Sequence, residues 1–383
     1  VDIATISRTD RLRRLYEEHG QSPWLDNLRR GWITSGQLQA LVDAGIRGIT
    51  SNPTIFAKSM TDSEDYDRPL RSLVGEGASV DDAYWALVTD DIAEALRLLR
   101  PVHDASGGED GFVSVEVSPL LAHDQAGTVT AARHLHQRID APNLYVKVPA
   151  TAEGVGAVRS LVAEGHSINV TLIFGLDRYR EVIEAYQAGL EELAARHPDR
   201  DLSGVSSVAS FFVSRVDTEI DRRLDQIGTP EALALRGQAA MAQAKLAYQV
   251  FLDRFRGPRW EVLAARGARH QRPLWASTST KDPAYPDTVY VDRLIGPRTV
   301  NTMPEATLAA FADHGTLART VDVDVDGARQ VVDRLAELGI AMDEVAAKLE
   351  VEGVASFAKS FDDLLDRLAQ RADSFRGEGA QPR

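Results

Sequence analysis

Lys147 lies inside an apolar run, Asn143-Leu-Tyr-Val-Lys-Val-Pro149, and its amine is the strongest candidate for chemistry in the chain. Burying an ammonium costs free energy, so an apolar surround favours the neutral amine. A neutral amine is a nucleophile and condenses with a carbonyl to give a Schiff base. Only six of the 43 basic residues are lysines, and Lys147 alone sits in a strand-like hydrophobic segment. Alone, it has a plainer reading as a strand-end lysine that reaches back to water. Its polar companions at the ends of the other apolar segments weigh against that.

Short apolar segments alternate with longer helical patterns along the chain. The strand candidates are 22–26, 47–51, 112–117, 144–148, 167–173, 205–213, 273–277 and 299–303. Strands alternating with helices imply parallel pairing. Eight such units predict an α/β fold, a closed (β/α)8 TIM barrel with additional N-terminal and C-terminal helices. A doubly wound open sheet is the alternative, but the chain has neither a G-x-G-x-x-G nor a G-x-x-x-x-G-K-[ST] phosphate loop. Residues 1–375 read as one domain, with a helical extension from about 325 that packs near the barrel mouth; 376–383 read as a disordered tail. Ser79 and Thr229 read as helix caps, and Thr229 is expected to open one long Ala-rich helix ending near Gly257.

In such a barrel the side chains at the C-terminal strand ends converge on one site. Those ends carry Asp26, Thr50 and Asn52, Glu116, Lys147, Asn169 and Thr171, Ser210, and Ser277. Each has a structural reading of its own. Asn52 before Pro53 can form a turn, Glu116 can face solvent on an alternating strand, and Asp26 can cap a helix. Seven such coincidences are less economical, because barrel interiors are filled mainly by branched apolar residues. Together the groups suit imine chemistry on a ketose. The lysine forms the imine, and Asp26 and Glu116 move protons at a substrate hydroxyl and at the carbinolamine. Asn52 and Asn169 can hold sugar hydroxyls. Arg215, and after it Lys281, are placed to bind a phosphate. The imine is itself an electron sink, so neither metal nor cofactor is expected.

Four segments carry a family resemblance: Gly48-Ile-Thr-Ser-Asn-Pro-Thr-Ile-Phe56, Tyr145-Val-Lys-Val-Pro-Ala150, Ile168-Asn-Val-Thr-Leu-Ile-Phe174 and Ser210-Phe-Phe-Val-Ser-Arg-Val-Asp217. On these the chain resembles the transaldolases, Schiff-base aldolases of the pentose phosphate pathway, from about Trp24 to Pro304. The resemblance implies transfer of a dihydroxyacetone unit from fructose 6-phosphate or sedoheptulose 7-phosphate to erythrose 4-phosphate or glyceraldehyde 3-phosphate. It implies Lys147 as the Schiff-base lysine and Asp26 and Glu116 as the acid–base pair. It makes Asn52 and Asn169 hydroxyl ligands, Ser210 and Arg215 strand-six contacts, and Phe212 an aromatic neighbour of the imine. Many relatives carry an arginine about two residues after the strand-seven serine. Here the segment reads Ser277-Thr-Ser-Thr-Lys281, which leaves Lys281 to make the second phosphate contact. The rival readings are a shorter type of Schiff-base aldolase that releases its product to water, and a catalytically silent barrel. Intact lysine and carboxylates argue against the second.

Composition sets the remaining bounds. A formal charge of −14 argues against nucleic acid or an anionic membrane as partner. With no cysteine, disulfides and thiolate chemistry are excluded. No apolar run approaches ~20 residues, so no membrane span is expected. The first residues lack a basic-then-apolar signal pattern, a charged helix is expected from Arg11 to Glu18, and a cytoplasmic protein is the expectation. The oligomeric state is not fixed by the sequence; a homodimer is compatible with it. Asp322-x-Asp324-x-Asp326-Gly327 has the look of a calcium loop, but Asp326 reads better as a helix cap. His134 and His136 stand two apart on a helix and cannot chelate together.

Overall fold

A computed structural model describes residue 6 and residues 9–379, with side chains described to Phe375. Eight parallel strands close on themselves in sequence order. They are β1 (Gln21–Asp26), β2 (Gly48–Thr50), β3 (Phe112–Glu116), β4 (Leu144–Pro149), β5 (Ile168–Ile173), β6 (Ser207–Phe212), β7 (Arg272–Ala276) and β8 (Thr299–Met303). β8 pairs with β1, and helices surround the ring. Each expected strand overlaps an observed one. The reason is burial on both faces, which gives a parallel strand a nearly continuous apolar run.

The register aligns the polar ends. Asp26 lies opposite Thr50, Glu116 opposite Lys147, and Lys147 opposite Asn169. β5 is irregular between Val170 and Ile173, and Leu172 there has φ 61°. Such an irregularity beside a site re-aims a side chain, here Thr171.

Two expectations about helices need correction. The Ala-rich stretch is two helices, Pro230–Leu233 and Ala239–Arg254. Gly237 interrupts it with φ 68°, its N–H donating to Asp221 at 2.9 Å, while Asp217 accepts from the Ala240 N–H at 2.7 Å. Both carboxylates sit on the neighbouring helix Ser214–Ile227, so a tertiary contact breaks what local propensity would continue. The second correction concerns the acidic loop. Asp324, not Asp326, caps the helix Val325–Glu337, accepting from the Gly327 N–H at 3.1 Å. Asp322 is held by Arg319.

The last helix, Met342–Gly379, extends into the segment read as a tail, and residues 380–383 lie outside the described ones. It lies over the C-terminal ends of the strands. Lys348 pairs with Glu219 at 3.1 Å, Glu350 with Arg178 at 3.3 Å, and the Thr54 hydroxyl donates to Ser360 at 2.9 Å. Arg371 donates to the Met60 carbonyl at 2.8 Å and pairs with Asp67. Bonds to elements after β2, β5 and β6 thus seat it at the mouth.

The opposite end of the barrel holds a buried ionic cluster. Asp110 is fully buried and accepts from Arg47 at 2.7 Å, Arg272 at 3.2 Å and Trp24 at 3.1 Å, as well as from Ser22. Removing one partner of a buried ion pair leaves an uncompensated charge. Asp110→Ala is therefore expected to destabilise the protein by about 3–5 kcal/mol. Urea denaturation measures it, and a loss below about 1 kcal/mol would contradict the burial argument.

Candidate active site

The C-terminal strand ends surround a cleft of about 640 Å³. Lys147 projects into it from β4 and is 4% exposed. Its Nζ donates to the Ser51 carbonyl at 3.1 Å and lies 3.3 Å from Glu116 Oε2. The Glu116 contact is an ion pair without hydrogen-bond alignment, and Oε2 is buried with no hydrogen-bond partner. The charge beside it is thus Glu116's main compensation. Burial pushes the Glu116 carboxyl above its ordinary range, against the pull of Lys147.

Asp26 stands at the end of β1. Its Oδ1 accepts from the Thr50 hydroxyl at 2.7 Å, and Thr50 also meets Thr302 at 2.6 Å. Desolvation raises this carboxyl too, opposed by Lys147, by the Thr50 hydrogen bond, and then by Lys281 and Arg215. Two carboxyls of raised pKa near one amine fit proton transfer, for which values nearer neutrality serve best.

Asn52 lines the cleft but also caps the helix Pro53–Thr61, accepting from the Ile55 N–H at 2.9 Å. The cap uses only the side-chain oxygen of Asn52, so the amide nitrogen is left over on the cleft wall. Asn169 differs. It is fully buried below the cleft, donating to Ser114 at 3.0 Å and accepting from Ser210 at 2.7 Å, and it does not line the wall. Thr171 and Ser210 do line the cleft, and the Thr171 hydroxyl is buried without a partner. Ser277 has φ 56° and shares a 2.9 Å hydrogen bond with Ser214. A non-glycine residue held in this region commonly marks a functional site.

The phosphate candidates converge. Arg215, in the first turn of Ser214–Ile227, and Lys281 both line the cleft. Burial lowers the pKa of each, and Asp26 opposes the shift in both. Lys281 donates to Ser279 at 2.8 Å. The cleft also holds residues that strand-end reasoning did not reach: Arg29, Lys58, Thr302 and Phe357. Thr302 could have been read from the polar position one before the end of β8. The basic lining residues Arg29, Lys58, Lys147, Arg215 and Lys281 outnumber Asp26 and Glu305, and Arg29 pairs with Glu305 at 2.5 Å. In a chain of charge −14 this local excess of cations selects for an anionic ligand.

Fold and site together define a (β/α)8 barrel enzyme built around a buried lysine. The chain belongs to the transaldolase/fructose-6-phosphate aldolase family, whose model matches residues 23–368. It is 52% identical over 354 residues to a transaldolase of Frankia alni, covering 92% of this chain and 95% of that one. A transaldolase of Thermobifida fusca is 51% identical over 92% of this chain and 96% of its own. Transaldolase 1 of Streptomyces avermitilis is 50% identical over 99% of both. Among the described residues no helix is long and apolar enough to cross a membrane.

Proposed function

We propose that this barrel is a transaldolase that moves a dihydroxyacetone unit between sugar phosphates through an imine on Lys147. The observation that carries the reading is Lys147 Nζ, 4% exposed and 3.3 Å from a buried carboxylate, at the base of a cation-lined cleft. Glu116 takes a proton from the Lys147 ammonium 3.3 Å away, and the freed Nζ lone pair adds to the ketose C2 carbonyl. Glu116 protonates the departing carbinolamine hydroxyl, and water leaves as the imine forms. Asp26 takes the proton of the C4 hydroxyl while the C3–C4 bond breaks. An aldose phosphate departs, and the bonding pair is held as an enamine on Lys147. The acceptor aldehyde then adds to that carbon, Asp26 returns the proton to the new hydroxyl, and water hydrolyses the imine.

Arg215 and Lys281 hold the phosphate, Lys281 as a point charge where a forked guanidinium stands in many relatives. Asn52, Thr50, Thr171, Ser210 and Ser277 hold the sugar chain. Asn169, with both ends of its amide engaged, acts by orienting Ser210. Phe212 is buried against Phe174, ring centroids 5.0 Å apart, and keeps that wall apolar, which favours waiting for an acceptor over release to water. A cytoplasmic setting belongs to the same reading. The test is acceptor dependence. Steady cleavage of fructose 6-phosphate is expected only with erythrose 4-phosphate or glyceraldehyde 3-phosphate present. Equal cleavage without acceptor would make the enzyme an aldolase and sink the transferase reading.

A further inference from the structure

Arg215 has an unusual surround for a guanidinium in a half-polar cleft. Among the described residues it makes no direct ion pair and no hydrogen bond; Asp26 acts on it only through its charge, and two aromatic rings lie beside it. Its Cζ is 5.4 Å from the Phe212 ring and 5.9 Å from the Phe357 ring. Phe212 comes from the end of β6, but Phe357 comes from the last helix and is 4% exposed. A cation over an aromatic face is held by the ring quadrupole and keeps its N–H groups free for an anion. A carboxylate partner would compete with the anion instead.

The last helix is fixed in register where this contact forms. A Cβ at Gly353 would come within 3.1 Å of Leu172 and 3.4 Å of Phe174, so the helix packs closely against the side chains at the irregular end of β5. One helical turn on, Phe357 meets the cleft. The Lys348–Glu219 pair ties the same helix to Ser214–Ile227, which carries Arg215 itself.

We infer that Phe357 is a positioning residue for phosphate recognition, its ring and that of Phe212 together aiming the Arg215 guanidinium at the substrate phosphate. The last helix is then part of the binding site, and its seating sets the affinity for phosphorylated over unphosphorylated ligands. The inference rests on the assignment of Arg215 as a phosphate ligand made above.

The experiment compares Phe357→Leu, which keeps apolar bulk without a π face, with Phe357→Tyr, which keeps the ring. Inhibition by inorganic phosphate reads the phosphate subsite. Borohydride trapping with dihydroxyacetone reads imine formation without a phosphate. Phe357→Leu is expected to raise the Ki for phosphate and the KM for fructose 6-phosphate by roughly 3–20-fold, the range of a partly desolvated cation–π contact. Trapping by dihydroxyacetone should be unchanged, and Phe357→Tyr should stay within about twofold of the parent on all readouts, as a retained ring contact implies. A phosphate Ki in Phe357→Leu equal to the parent's overturns the inference, as does a parallel loss in phosphate binding and dihydroxyacetone trapping. Arg215→Met separates the two levels. If it too leaves the phosphate Ki unchanged, the assignment of Arg215 is at fault; if it raises the Ki while Phe357→Leu does not, only the role of Phe357 fails.

Discussion

Lys147→Met is expected to lower turnover by on the order of 10⁴-fold or more, the scale on which loss of a covalent nucleophile acts elsewhere. Borohydride trapping with fructose 6-phosphate should mark Lys147 in the parent and no lysine in the variant. Methionine has nearly the length of lysine and suits the apolar flank of β4, so the barrel should stay folded. Glu116 would lose the ammonium 3.3 Å away that opposes its desolvation. It would then take up a proton rather than remain a buried unpaired charge. The loss should therefore lie in chemistry, with little change in urea stability. Peptide mapping makes the test sharp, because the cleft contains two further amines, Lys58 and Lys281. Turnover within tenfold of the parent, with the reduced adduct on either of them, would relocate the nucleophile and end the assignment of Lys147. Lys281 is the nearer competitor in chemistry, since burial lowers its pKa and Arg215 adds to the shift.

The candidate pair Glu116 and Lys147 is legible in the sequence because charged side chains inside apolar strand segments are costly and so stand out. Adjacent parallel strands then aligned them without further help from the sequence. A polar residue inside the barrel is not by itself the sign of a site: Ser114, Asn301 and Arg272 are buried and polar for structural reasons. Ser114 receives Asn169, and Asn301 accepts from Thr278 at 3.0 Å. Arg272 meets Asp110 across 162 residues of chain. Asp110, lying in a glycine-rich turn, offered no local sign of that partner. Phe357 was hidden differently. Its spacing within an amphipathic helix marks it as an inward apolar residue, but the wall it faces depends on how the last helix is seated, which only long-range contacts determine. The break at Gly237 has no local sign either, because the carboxylates that accept its N–H and that of Ala240 lie on another helix.

Asp26→Asn should lower kcat by about 10²–10⁴-fold, the usual contribution of a positioned acid–base group. It should leave the imine on Lys147 trappable, because the lost step is C–C cleavage and not condensation. The Thr50 hydroxyl can still donate to the amide oxygen, so geometry is kept and the difference is protonic. The parent should show an acid limb in kcat/KM above the ordinary carboxyl range of about 3.9–4.3. Desolvation raises both Asp26 and Glu116, and the charge of Asp26 raises Glu116 further. Both carboxyls face Lys147 and the charge of one acts on the other, so the limb belongs to both and not to one residue. Its sign follows from the base role: as pH falls through the raised value, Asp26 is protonated and cannot accept the C4 hydroxyl proton. Stability should move the opposite way. A carboxyl whose folded pKa is raised favours the folded state below its unfolded value and loses that contribution as pH rises through the folded one. At neutral pH the parent therefore carries the cost of an ionised, poorly hydrated Asp26, and Asp26→Asn should be the more stable protein there. The advantage should shrink as pH falls through the raised value, below which the parent carboxyl is neutral as well. Urea melts at neutral and acid pH measure this directly. A variant less stable than the parent at neutral pH, or an acid limb at the ordinary carboxyl value, would mean that the neighbouring cations outweigh desolvation at Asp26 and that its ionised form is the resting state.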